Sequence, residues 1–67
     1  HSRAEKLALL QFCIGLPLPA EDTHLLRTMA HHYALGKERE WGDANYHLKD
    51  RVEALLIRCK GMIVGVP

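Results

Sequence analysis

The sequence predicts an all-α fold, a three-helix bundle-like domain with an apolar, extended C-terminal tail. Three observations carry that prediction. Apolar residues recur at helical spacing in three segments. A glycine (Gly15, Gly36, Gly61) follows each segment. An apolar and partly β-branched run, Met62-Ile63-Val64-Gly65-Val66-Pro67, closes the chain and favours extended backbone.

The first helix is expected over 3–14, with Gly15 taking the left-handed conformation that suits the position after a helix end. Leu16-Pro17-Leu18-Pro19 then forms a stiff elbow, because each proline pushes the residue before it into extended backbone. Pro19 suits the first position of the second helix, expected over 19–35. Glu21 and Asp22 there face the positive end of the helix dipole.

The third helix ends at Lys60, and its start has two readings. Asp43, after Gly42, is a good N-cap. Yet the stripe Trp41, Ala44, Leu48, Val52, Leu55, Leu56, Cys59 holds helical spacing across Gly42. One interior glycine costs only about 1 kcal/mol, so a continuous helix from Lys37 to Lys60 is the preferred reading. The tail, 61–67, is expected to pack on its own bundle, on a partner, or as the start of a strand in a further domain.

Composition limits the function classes. With 67 residues, 48% hydrophobic and 25% charged, the chain fits one domain, 1–67, and not a two-lobed enzyme with a cleft. No apolar run approaches the roughly 18 residues that span a bilayer, so no membrane partner is expected. Nine Lys+Arg against eight Asp+Glu leave a net charge of +1, with no lean toward nucleic acid or an anionic surface. A core this small is marginal alone, and small domains commonly add a disulfide, a metal or a second subunit. Cys13 and Cys59 allow one disulfide at most, too sparse for a secreted scaffold. With no signal-peptide pattern, the expected location is intracellular (cytoplasmic or nuclear) with reduced thiols. The opening His1-Ser2 reads as a processed product or an excised domain.

The helices differ in how many sides they want to hide. Helix 2 carries one stripe, Leu25, Leu26, Met29, Ala30 and Tyr33, opposite Arg27, His24 and His31. Helix 1 is apolar nearly all round: Leu7, Leu10 and Ile14 share one face, Leu9 and Phe12 point the other way, and between Leu7 and Ile14 only Gln11 is polar. A helix apolar on every side is normally buried on every side, and a three-helix bundle surrounds none of its members. The expected function is therefore a protein–protein interaction or oligomerisation module, a homodimer or the receiver of a partner's helix. Its contacts are expected at Leu9, Phe12, Leu16 and Leu18, then Tyr46 and Ile57. The competing explanation is that Leu16, Leu18 and Ile63 fold back and cover Leu9 and Phe12 within one chain.

Chemistry is harder to find. Five histidines raise the question of metal, but two ligands on one helix must lie three or four residues apart. His24 and His31 are about 10.5 Å apart along a helix axis. Only His47, with Asp43 before it and Asp50 after it, has chelating spacing, and a solvated His–Asp pair explains it equally well. No metal, cofactor or catalytic residue is assigned. The single serine, Ser2, lies at the chain end, and no nucleophile–base spacing or phosphate loop exists, so no enzyme is expected.

The alternative function is helix-turn-helix-like nucleic-acid binding through the start of helix 3, using Asn45, His47, Lys49 and Arg51. Glu38, Glu40 and Asp43 stand against it. A further expectation concerns pH: His24, Thr28, His31 and Leu35 form a stripe whose protonation would oppose burial against a partner. Finally, neighbouring antiparallel helices bring the ends of helices 1 and 3 together, which lets Cys13 and Cys59 approach. Buried free thiols are their commoner role.

Overall fold

Ser2 opens the first helix by supplying the acceptor that a helix start lacks. Its backbone is extended (φ −90°, ψ 161°) and its Oγ accepts from the Glu5 amide at 3.1 Å. The computed structural model describes the backbone of residues 2–64 and the side chains of residues 2–62. Among these residues the chain is all-α: four α-helices and no strand.

Helix α1 (Arg3–Ile14) has the predicted bounds. Gly15 after it is not left-handed, however; it sits at φ −78°, ψ −7°, and its amide bonds back to Gln11 and Phe12. The elbow leads into α2 (Ala20–Ala34), whose N-cap is Pro19. The Pro19 carbonyl accepts from the Asp22 and Thr23 amides at 3.0 and 3.1 Å. At the far end Gly36 does adopt positive φ, at 73°. That lets Lys37 N–H reach His32 O (2.8 Å) and Gly36 N–H reach Tyr33 O (3.1 Å), the pair of bonds that closes a glycine-terminated helix.

The expected single helix from Lys37 to Lys60 is instead three elements: α3 (Glu38–Ala44), a 3-10 turn (Tyr46–Leu48) and α4 (Lys49–Val64). The break falls at Asn45. Its amide and its side-chain Nδ2 both donate to Trp41 O, at 3.0 and 2.8 Å, and Leu48 N–H closes the turn on Asn45 O at 2.8 Å. The two apolar halves have different targets. Trp41 is buried beside α2, donating Nε1–H to Thr28 Oγ at 3.0 Å, whereas Val52, Leu55 and Cys59 enter the core from α4. One straight rod does not serve both, so the chain bends between them. Asp43 lies inside α3 rather than capping a helix.

The tail is also corrected. Helix α4 continues through Gly61 to Val64, so these residues are helical rather than extended. An interior glycine costs about 1 kcal/mol, and nothing from 62 to 64 forbids the helix. The rest of the expected tail, 65–67, and the Ile63 side chain proposed to fold back lie outside the described residues.

The core joins Leu10 and Cys13 of α1, the predicted Leu25, Leu26, Met29, Ala30 and Tyr33 of α2, Trp41 of α3, and Val52, Leu55 and Cys59 of α4. Helix α2 packs on α1, α3 and α4, and α1 also packs on α4. Two ionic clasps lie across these contacts. Arg3 forks onto Glu38 (2.7 and 3.1 Å) and donates to Tyr33 O (2.8 Å), with its guanidinium 4.3 Å from the Tyr33 ring centre. On another side, Arg51 of α4 holds Asp22 and Glu21 of α2.

Candidate interaction surface

Helix α1 turns its apolar residues in several directions, and only part of that surface has a place to go. Leu10 and Cys13 are wholly buried. Leu7, Leu9 and Ile14 are partly buried against the same core, and the elbow residues Leu16 and Leu18 fold back onto it as well. Phe12 remains, 43% exposed.

The expected contact residues thus divide. Leu9, Leu16 and Leu18 lean on the core from its edge, and Phe12, Tyr46 and Ile57 face solvent. Ile57 is 71% exposed because it lies on the side of α4 away from Leu55 and Cys59. Tyr46 is equally open in the 3-10 turn, with Lys49 Nζ 5.9 Å from its ring centre. Two further large apolar residues are exposed: Met62, near the end of α4, and Leu35, at the end of α2. The sequence places Met62 in the tail and Leu35 in the stripe with His24, Thr28 and His31, and neither is among the named contacts of α1, the elbow, Tyr46 and Ile57. Leu35 follows the last buried turn of α2, where continuing the apolar spacing says nothing about whether a neighbour is present.

The four residues of the nucleic-acid alternative are placed as follows. Asn45 caps α3 through its bond to Trp41 O. Arg51 donates a terminal N–H to Glu21 Oε1 at 3.0 Å and Nε–H to Asp22 Oδ1 at 2.8 Å, which raises its pKa above the ordinary guanidinium value. Lys49 sits over Tyr46, and His47 is exposed. These two ion-pair bonds tie Arg51 to carboxylates on its own chain.

Beside Arg51 opens a groove of about 460 Å³ lined by His24, Thr28, His32, Trp41 and Leu48 among others. Two of its hydrogen bonds run along α2: Thr28 Oγ–H donates to Leu25 O (2.9 Å), and His32 Nδ1–H donates to Thr28 O (2.8 Å). The expected stripe of His24, Thr28, His31 and Leu35 is therefore divided. His24 and Thr28 line this groove, whereas His31 lines a separate cleft with Arg27 of α2 and Leu7 and Ile14 of α1. Every buried side-chain nitrogen and oxygen among the described residues has a hydrogen-bond partner. No three His, Cys, Asp or Glu side chains among them gather closely enough to hold a metal ion, and none of the helices is long and apolar enough to cross a membrane.

Cys13 and Cys59, which the sequence allowed to approach, do meet. Both are free thiols in the core, 0% and 1% exposed. Burial pushes the Cys13 thiol up to about 12, and the neighbouring Cys59 thiol reinforces the shift. The fold and its surface define a small all-α chain with an uneven apolar exterior. No protein-family model, curated protein or solved structure matches it.

Proposed function

We propose that this chain is a protein–protein interaction module that associates through the outer flank of α1, with a second copy or with a partner's helix. The observation that carries the reading is Phe12. On a helix whose Leu10 and Cys13 are wholly buried, a phenylalanine is left 43% exposed. Leu9, Leu16 and Leu18 retain part of their apolar surface, and Tyr46, Ile57 and Met62 add exposed apolar groups on the turn and α4. Burying such surface in a complex stabilises the folded state by mass action. The net charge of +1 sets up little repulsion between two copies.

Solution mass against concentration, from micromolar upward, tests the self-association form directly. Mass is expected to rise with concentration for the natural sequence and to stay monomeric for Phe12→Glu, while Lys49→Ala leaves association intact. A monomer mass at every concentration rejects self-association. Nucleic-acid binding draws no specific support from the geometry, since Arg51 and Asn45 are engaged within the chain. A salt-sensitive gel shift with duplex DNA or RNA would reverse that ranking.

A further inference from the structure

The two cysteines of this chain face each other from the packed helices α1 and α4, although 45 residues of sequence lie between them by count. Their helices pack directly on one another. Cys13 is 0% and Cys59 1% exposed within one core, and the Cys59 thiol acts directly on the Cys13 thiol, so the two are neighbours with almost no access to solvent. We propose that Cys13 and Cys59 form a reversible intrachain disulfide, a redox staple that fastens the end of α1 to α4.

The oxidant class is a low-molecular-weight disulfide, such as oxidised glutathione. One protein thiol loses its proton, and its thiolate attacks a sulfur of the small disulfide. A mixed disulfide forms and one small thiolate leaves. The second protein thiolate then attacks the protein sulfur of the mixed disulfide, which forms the Cys13–Cys59 bond and expels the second small thiolate. The two protein thiols are oxidised, the small disulfide is reduced to two thiols, and the two released protons end on those thiols.

Burial controls the rate. A thiol held protonated in an apolar core offers almost no thiolate, and a small disulfide cannot reach it while α1 and α4 are packed. Linking therefore follows local opening. Once formed, the bond closes a loop of about 45 residues and restricts the unfolded chain, the condition under which a disulfide stabilises most. The staple is open in a reducing environment and closes after the chain has opened in an oxidising one.

The test uses the intact chain incubated with oxidised glutathione, then digested with trypsin without reduction. The expected product is the peptide spanning 7–27 joined to the dipeptide Cys59-Lys60. The linked protein should run as a monomer on a non-reducing gel and melt at least ~10 °C higher, with dithiothreitol reversing the shift. Sub-denaturing urea should speed the linking. Glutathione adducts without the internal link, a predominantly interchain product, or a linked form that melts no higher would each overturn the proposal. An unchanged rate in urea would overturn the requirement for opening. Cys59→Ala should abolish the linked peptide; because that variant touches the core, the peptide map and melt of the natural sequence decide the outcome even if it fails to fold.

Discussion

Placing the same kind of perturbation at neighbouring positions of α1 separates interface from core. Phe12 is 43% exposed, so somewhat more than half of its surface is covered by its own chain. A buried phenylalanine removes at least ~150 Å² from water, and about half of that at ~25 cal/mol per Å² is worth about 2 kcal/mol. Glutamate keeps part of the contact through its methylenes, so Phe12→Glu is expected to cost about 1–2 kcal/mol. A chain of this length has roughly 3–10 kcal/mol in total and should stay folded. Leu10, at 0% exposure, is different. Leu10→Ala loses the transfer energy and leaves a cavity, costing about 3–5 kcal/mol, much or all of the available stability. Leu9, which leans on the core, falls between them.

The assay is urea denaturation followed by helical circular dichroism, paired with sedimentation of each folded variant. The expected order of midpoints is the natural chain, then Phe12→Glu, then Leu9→Glu, then Leu10→Ala. Association is expected to disappear already at Phe12→Glu. Two results would refute the reasoning. If Phe12→Glu unfolds as completely as Leu10→Ala, Phe12 belongs to the core. If it folds and associates as the natural chain does, the interface lies elsewhere.

Three more predictions follow from named contacts. Glu38 is held down at about 2, chiefly by its hydrogen bond to Arg3 and then by a backbone bond, against an ordinary 4.5; the clasp contributes above pH 4.5 and is lost as pH falls toward 2. Urea midpoints of Arg3→Ala and the natural chain should therefore converge over that interval, and a constant gap would contradict the clasp. Arg51→Gln leaves the buried Asp22 carboxylate without its cation. With Arg51 itself 42% exposed, solvent screens the pair and the urea midpoint should fall only modestly, and a double-mutant cycle with Asp22→Asn showing no coupling would exclude the pair. Gly36→Ala should lose about 1–2 kcal/mol from its positive φ alone, since nothing crowds an added Cβ. Gly15→Ala, at ordinary φ with contact no closer than 3.5 Å, should be neutral or slightly stabilising, and equal losses at both sites would refute the distinction.

Local chemistry was legible in the sequence. The bounds of α1, the position of α2 to within a residue at each end, and the five-residue buried stripe of α2 follow from the helical period and its punctuation. Those signals act over a few residues and need no neighbour. The contact of Cys13 with Cys59 was also within reach, because helices that double back bring those ends together. The candidate surface was legible only in part. Apolar periodicity placed the excess on α1, yet among the described residues Leu35, Tyr46, Ile57 and Met62 are exposed outside it, and periodicity could not say that Leu9, Leu16 and Leu18 would find the core while Phe12 would not.

Tertiary structure decided the rest. The stripe from Trp41 to Cys59 reads as one helix, yet its first residue is held by Thr28 on α2 and its last meets Cys13 on α1. The helix is interrupted at Asn45, between those two contacts. Glycine shows the same limit. Gly15, Gly36 and Gly61 carry the same sequence signal, but only Gly36 has positive φ, and α4 runs through Gly61. The sequence by itself determined an all-α chain with more apolar residues than one stripe per helix accommodates. Which residues carry that excess depended on where helices distant in sequence came to rest, because burial belongs to a pair of surfaces and a helical period describes only one.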